Sequence, residues 1–408
     1  MPTAISESAL IGQFKVSRLF FLYRVLQMNL KRKYQHFQEV AQFAKQYPKE
    51  QRKFVFKDYL SLFEKKGLTF DEYRDFEFER QNADFRHSFL GFNEQRYYLD
   101  YLNPKKYYIL SRNKYLAHLM LEPVGVRFAE LYAYYSPEGV ITTEPDIAQD
   151  LPSLMDILRR KGVNSCAIKS TEGSHGEGVT VVNNIEYGDS DCMLEFYNGE
   201  RAALSSILGR EPLIFEKVVK QTKQMSAFNE SSVNTIRFMT TLMPSGDAKI
   251  IAIWFKMGRK GSCVDNAGNG GNIDGCVDIA TGELKYAVQF DGWRQLKPVE
   301  CHPDSGTQIN GVRIDNWEAI KAEVIKYQQA FPFCKAAGWD IAITDDGPVV
   351  IEVNDMWDTT GQLFIHHGWR EGVRDCFFQW RKTGAEYIMS RDLNVLSTGR
   401  LEKIAAYE

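Results

Sequence analysis

The stretch WDIAITDDGPVVIEVN, Trp339 to Asn354, constrains the fold more than any other part of the chain. Trp339, Ile341 and Ile343 alternate with Asp340, Ala342 and Thr344, the period of a strand buried on one face. Asp345-Asp346-Gly347-Pro348 is turn chemistry, and Val349 to Val353 is a β-branched run. So short a turn predicts two antiparallel neighbours. Glu352 and Asn354 are two apart and share a face, and a register symmetric about Asp345-Asp346 sets Asp340 at the same end. Two carboxylates and an amide then meet on one patch amid apolar residues. Two readings fit: a solvated hairpin face, or a patch balanced by a hard cation, because buried unpaired charge is costly.

A second stretch, CAIKSTEGSHGEGVTVV, weighs against the first reading. A strand ends in Lys169, a loop carries Gly173, Gly176 and Gly178, and a strand Val179–Val182 follows. Glycine lets backbone N–H groups approach phosphate oxygens, and lysine supplies a point charge. The spacing is neither a P-loop nor a dinucleotide fingerprint. It predicts a flap between two strands.

Together the two stretches resemble the ATP-grasp superfamily, over roughly residues 160–385. Lys169 with EGSHGEGV resembles the phosphate lysine and flap, which assigns Gly173, Ser174, His175, Gly176 and Gly178 to the nucleotide. LIFEKVV, Leu213 to Val219, resembles the hinge strand whose Glu216, Lys217 and Val218 hold adenine and ribose. NTIR, Asn234 to Arg237, resembles the strand with a phosphate-binding arginine. Lys256, followed by VDNAGNGG with Asn266, Gly270 and Gly271, resembles the lysine and Asn–Gly-Gly segment of amino-acid-adding members. Asp340, Glu352 and Asn354 match the Mg²⁺ ligands. NTIRFMT and the long N-terminal extension resemble the sugar-transfer-associated group, linked to bacterial surface polysaccharide synthesis.

The resemblance implies an α+β fold in which two α+β subdomains clamp ATP. It implies an ATP-dependent carboxylate–amine ligase that forms an acylphosphate and joins an amino acid or amine to a sugar-linked acid. ATP and Mg²⁺ are the implied cofactors, with Arg237, Lys256 and Asn266 catalytic and the acceptor near Asp355, Asp358, Thr359 and Thr360. Two alternatives stay open: a kinase acting on a sugar hydroxyl, and a non-catalytic nucleotide-binding partner of a glycan-assembly complex.

The rest of the chain is divided accordingly. Residues 1–85 form a helical extension, 86–162 a small α/β subdomain, 163–220 the lid, 221–390 the Mg²⁺ and substrate half, and 391–408 a tail. Ile11 to Leu60 carries 11 Lys/Arg against 3 Asp/Glu. Residues 14–34 therefore read either as a helix on an anionic membrane surface or as an amphipathic helix packed on the protein. Strands are predicted over Tyr107–Leu110, Phe128–Tyr135, Val233–Met243, Ala248–Gly258, Cys276–Ile279 and Leu284–Gln289. Helices are predicted over Lys114–Leu121, Leu151–Arg160, Gly199–Leu208, Asp315–Phe331 and Gly361–Arg381. Asn113-Lys114 resembles a family position where lysine reaches the nucleotide, although a surface lysine fits as well. His175 reads either as a phosphate contact or as an exposed flap tip. His366 and His367 are adjacent on the closing helix and cannot face one ion, so they read as structural or substrate-lining.

Net charge of −3 gives no pull toward nucleic acid, and no run of 18 apolar residues predicts a spanning helix. The seven cysteines form no Cys-x-x-Cys pair, which fits a reducing compartment. The N-terminus lacks a signal peptide's apolar stretch. A cytoplasmic location is expected, at the inner membrane face if the basic helix binds lipid.

Overall fold

The structure is a computed structural model that describes residues 30–138, 144–173, 178–263, 265, 271–290 and 296–384. The basic stretch up to Asn29, the loop residues Ser174 to Glu177, Asn266, Gly270 and the tail lie outside the described residues. Two compact units are present: Met1–Lys105 with Asp358–Glu408, and Lys106–Trp357. The chain from Asp358 is thus grouped with the N-terminal helices, whereas the sequence divisions group it with the second half of the ATP site.

The first unit is helical and has an aromatic core. Tyr59 meets Phe70 and Tyr73 edge-on with ring centroids 5.4 Å apart, and Phe78 meets Phe89 at 5.1 Å. Glu72 is buried there, where it accepts hydrogen bonds from Thr69 N, Phe92 N and Thr359 Oγ1 at 2.7–2.9 Å. The expected closing helix is two helices, Gly361–Phe364 and Arg370–Lys382. Between them His366 takes φ 50° and Gly368 presses on backbone, so no continuous helix can pass. A Cβ at position 368 would lie 2.0 Å from the Ser88 carbonyl oxygen. Gly368→Ala is therefore expected to cost at least about 2 kcal/mol by overpacking; an unchanged urea midpoint would refute this contact. Both histidines are exposed in this break.

The second unit holds two seven-stranded sheets, mostly antiparallel. The first comprises β1 (Leu131–Tyr135), β2 (Ile147–Ala148), β3 (Cys166–Ser170), β4 (Val179–Tyr187), β5 (Cys192–Phe196), β6 (Arg201–Ala203) and β7 (Leu213–Glu216), in the order β2-β1-β7-β3-β4-β5-β6. The helix Leu151–Arg160, capped by Asp150 in a capping box with Ser153, buries Leu154, Ile157 and Leu158 in the core of this half. Phe215, Cys166 and Ile168 belong to that core, which turns Glu216 and Lys169 to the opposite face.

The second sheet comprises β8 (Thr235–Leu242), β9 (Ala248–Met257), β10 (Ile273–Val277), β11 (Leu284–Phe290), β12 (Leu296–Pro298), β13 (Ala336–Thr344) and β14 (Gly347–Asn354), ordered β12-β11-β10-β9-β8-β13-β14. Ile236, Phe238, Ile253, Phe255, Trp339 and Ile341 pack in one core with Ile320 and Val324 of the helix Trp317–Ala330. Every alternate residue of those strands faces away from this core.

Several elements differ from the sequence expectation. Tyr107–Leu110 is no strand: it runs through a 3₁₀ turn into the helix Ile109–Arg112. Four aromatic and branched residues resemble a strand, but here they lie in helical turns. Gly199–Leu208 is a hairpin return, β6, followed by one turn of helix, Leu204–Ile207. The strand expected to Val219 ends at Glu216. None of the seven cysteines forms a disulfide. Among the described residues, no helix is long and apolar enough to cross a membrane.

Candidate nucleotide and metal site

The hairpin β13–β14 forms as expected, but its register carries a feature the spacing hides. From Thr344↔Gly347 to Ile341↔Val350 the pairing is symmetric about a two-residue turn. Continued, it would set Asp340 opposite Ile351 and turn Glu352 toward the core. A β-bulge between Asp340 and Ile341 shifts the pairing, so that Asp340 faces Glu352 and Gly338 faces Asn354. One extra residue re-aims the side chains beyond it. Asp340, Glu352 and Asn354 thereby share the face away from the core.

The same face continues across the sheet. Asp340 pairs in register with Arg237 on β8, and Arg237 with Trp254 on β9. One step along, Thr235 pairs with Lys256, and Lys256 with Asp274 on β10. Arg237 grips Asp340 through two bonds, Nε–H to Oδ1 at 2.5 Å and Nη2–H to Oδ2 at 2.8 Å. Its guanidinium carbon lies 5.6 Å from the Trp254 ring centre. Lys256 Nζ is 3.2 Å from Asp340 Oδ1 and 3.6 Å from Asp265 Oδ1. Asp265 is itself held by Thr235, whose N–H and hydroxyl donate to Oδ2 at 2.7 and 2.5 Å. Burial works against the Asp340 anion, yet the Arg237 and Lys256 charges hold its pKa below the usual carboxylate range. The counter-charge for Asp340 is thus supplied by side chains.

Glu352 differs. Burial and the Asp340 charge both raise its pKa, and Lys114, Arg237 and Lys256 only partly relieve it. The Asn354 side-chain nitrogen is buried without a hydrogen-bond partner. An amide assigned in the other orientation offers its oxygen at that point. A carboxylate that gains from added positive charge, beside an amide with an unused polar atom and a second carboxylate, suits an oxygen-liganded dication. Among the described residues no three His, Cys, Asp or Glu side chains converge on a metal position, so the candidate set is these two carboxylates and one amide.

The other half-site lies on the first sheet. Lys169 Nζ is 2.5 Å from Glu216 Oε2, and both are buried. His118 Nε2 lies 2.7 Å from Glu216 Oε1, and its Nδ1 lies 2.8 Å from Glu122 Oε1. Lys217 turns outward beside Glu130, both largely exposed, and Val218 lies past the strand end. The helix Lys114–Leu121 bridges the halves. Lys114 donates from Nζ to the Gly173 carbonyl at 2.5 Å and from its backbone N–H to the Thr171 carbonyl at 2.8 Å. Burial lowers its pKa, while Glu352 on one side and Glu216 on the other oppose that, and Lys169 adds to it. Lys114 is therefore within electrostatic reach of both halves.

The structure thus brings Lys169 and Glu216 together on one sheet, and Arg237, Lys256, Asp340, Glu352 and Asn354 on the other. Gly173 and Gly178 flank the loop, with Gly178 at φ 72°. Asp355, expected at the acceptor pocket, is gripped by Arg112 through two bonds of 2.9 Å and by Ser111 at 2.7 Å. Thr359 and Thr360 bond within the helical unit, to Glu72 and Asp358. Sequence reasoning missed His118 and Asp274. The first had a usable signal: Lys114, His118 and Glu122 recur at intervals of four on one helix face.

A search of the curated proteins finds no match. Among solved structures, D-alanine–D-alanine ligase from Bacillus anthracis aligns at 15% identity, over 68% of this chain and 70% of that one, with TM-score 0.36. Phosphoribosylamine–glycine ligase from Thermotoga maritima aligns at 13%, over 69% and 57%, with TM-score 0.40. N5-carboxyaminoimidazole ribonucleotide synthetase from Thermotoga maritima aligns at 12%, over 68% and 52%, with TM-score 0.36. This chain therefore spans only about half of the last two. Likeness at this level says nothing of activity. The model of the sugar-transfer associated ATP-grasp family matches residues 93–374, more than half of the chain, and the chain belongs to that family.

Proposed function

We propose that the chain is an ATP-dependent carboxylate–amine ligase that works through an acylphosphate. The observation that carries this reading is the row Glu352, Asp340, Arg237 and Lys256 on one sheet face, together with the buried Lys169–Glu216 pair on the other sheet. A carboxylate is a poor electrophile. Its oxygen attacks the γ-phosphorus of ATP, the bond to the β-phosphate oxygen breaks, and ADP leaves. The amine then attacks the acyl carbon, phosphate leaves, and the amine's proton is lost.

Catalysis of such a transfer is mainly positioning and neutralisation of charge. Lys169, Arg237 and Lys256 are cations already desolvated at the site, each held by a carboxylate that a phosphate can replace. Asp340, Glu352 and Asn354 would hold Mg²⁺, which when bound supplies positive charge to the β- and γ-phosphates. The loop from Gly173 to Gly178, with Ser174, His175 and Gly176, would exclude water from the acylphosphate. Asn266 would line the acceptor side. The substrates would be an amino acid or amine and a sugar-linked acid, in surface polysaccharide synthesis in the cytoplasm. Residues 14–34 would lie at an anionic membrane face.

Amino acids screened against uronic-acid glycans for ADP release test this reading, with hydroxylamine added to trap the acylphosphate as a hydroxamate. Release of ADP with a phosphorylated sugar and no amide would select a kinase instead. Glu352→Gln is expected to abolish Mg²⁺-dependent turnover while the fold persists. ADP production near the wild-type rate in that variant would sink the metal assignment.

A further inference from the structure

Lys114, His118 and Glu122 form one stripe on a helix, and His118 lies at its centre, 2% exposed. Both ring nitrogens meet carboxylate oxygens, Glu122 Oε1 at 2.8 Å and Glu216 Oε1 at 2.7 Å. A neutral imidazole has one N–H and one lone pair, so one of these contacts would set lone pair against lone pair. The geometry requires two donors, and hence the imidazolium. A further neighbour is apolar: the Phe128 ring centre is 4.6 Å from that of His118.

Glu216 therefore lies between two cations, His118 at Oε1 and Lys169 at Oε2, 2.5 Å away. It is buried and needs a counter-charge. If Lys169 were its one partner, Lys169 could not turn to a phosphate without stranding a buried carboxylate. With His118 in place, Glu216 stays neutralised when Lys169 leaves it. We propose that His118, as an imidazolium, is a positioning residue for nucleotide binding that frees Lys169 from Glu216 to take a phosphate oxygen of ATP. This rests on the nucleotide reading of the site and adds a device to it. The device is sensitive to pH. Burial disfavours the charged ring, but the bonds to Glu122 and Glu216 prevail and raise its pKa to about 9. Above that, the ring loses its charge and Glu216 retains Lys169. The charged groups facing His118 are Glu122 from its own helix end and Glu216 from β7, with Lys169 from β3 behind Glu216.

The test is calorimetric binding of MgATPγS to the full chain across about pH 7 to 10. Glu122 is half-exposed, so Glu122→Gln should leave the fold intact. It removes a carboxylate that raises the His118 pKa, and should move the pH at which affinity falls downward by about one unit. His118→Gln should weaken binding at least about tenfold at neutral pH. In a Glu216→Gln background, taken as its own reference, His118→Gln should weaken binding little further, because no carboxylate then competes for Lys169. A purely packing role for His118 predicts an equal loss with and without Glu216→Gln and no shift in Glu122→Gln, and either result overturns the proposal. If His118→Gln fails to fold, Glu122→Gln alone decides. Wild-type protein that binds no MgATPγS at any pH would overturn the nucleotide reading itself; binding unaffected by all three variants would overturn only the role of His118.

Discussion

Asp274→Asn is expected to stabilise the chain above about pH 8 and to leave it nearly unchanged near pH 4. Asp274 is fully buried on β10, and neither carboxylate oxygen has a hydrogen-bond partner. Its register neighbour Lys256 cannot serve it fully, because Nζ is held at 3.2 Å by Asp340 and lies 3.6 Å from Asp265. Burial is the main cause that pushes the Asp274 pKa up to about 8; Asp265 adds to it, while Lys256 and Arg237 oppose it. The sign follows from proton counting. Between the ordinary aspartate pKa and about 8, the folded chain holds a proton at Asp274 that the unfolded chain has lost. Rising pH therefore removes stability across this window, by at most about 1.4 kcal/mol per pH unit. Asparagine keeps the shape and carries no charge at any pH. The gain near pH 8.5 should be roughly 2–4 kcal/mol, allowing for relaxation around the site. Urea midpoints of both proteins from about pH 5 to 9 check this; a difference that does not change with pH would show that Asp274 is solvated.

Much of this site was legible from residue spacing. The alternation Trp339-Asp340-Ile341 separates core from site with no further information, and Lys169 is marked by the glycines that follow it. The shared face of Asp340 and Glu352 was reached on a symmetric register that does not by itself deliver it. The bulge at Ile351 does, and a bulge leaves no trace in a run such as VVIEV. The balance of charge was also hidden. The acidic patch pointed to a cation, whereas Arg237 and Lys256, distant in sequence, neutralise Asp340 across neighbouring strands. Asp274 follows Ile273 in ordinary strand alternation, so the sequence shows a strand with one polar side and cannot show that this side is buried. The break at Gly368 was missed for a similar reason. A helical period runs through Gly361–Arg381, but His366 takes φ 50° and Gly368 packs against the backbone of Ser88, far away in the chain, and neither is visible in the period.

Removal of Asp340 is expected to have the largest effect of any single substitution at this site. Asp340→Ala should cost about 3–5 kcal/mol of stability, as breaking a buried ion pair from one side does. Its carboxylate is 4% exposed and engages three donor groups of two cations. Without it, the Arg237 guanidinium and the Lys256 ammonium remain buried close together, with Asp265, 3.6 Å from Lys256, as the nearest compensation. Such a cluster is a poor way to gain stability, since well-packed apolar groups of similar volume often do as well. Replacing all three together, Arg237→Met, Lys256→Met and Asp340→Leu, should therefore be far milder than Asp340→Ala, within about 1–2 kcal/mol of wild type. That triple variant should still turn over no ATP. The pair of results separates the two reasons a residue can be kept: the fold needs the charges to balance, and the chemistry needs the charges to exist. Urea denaturation near pH 7.5 measures the first and ADP release the second. A loss below about 1 kcal/mol for Asp340→Ala would place the two cations in water and remove the case for a desolvated phosphate site. ATP turnover that survives the triple substitution would move the chemistry off this sheet altogether.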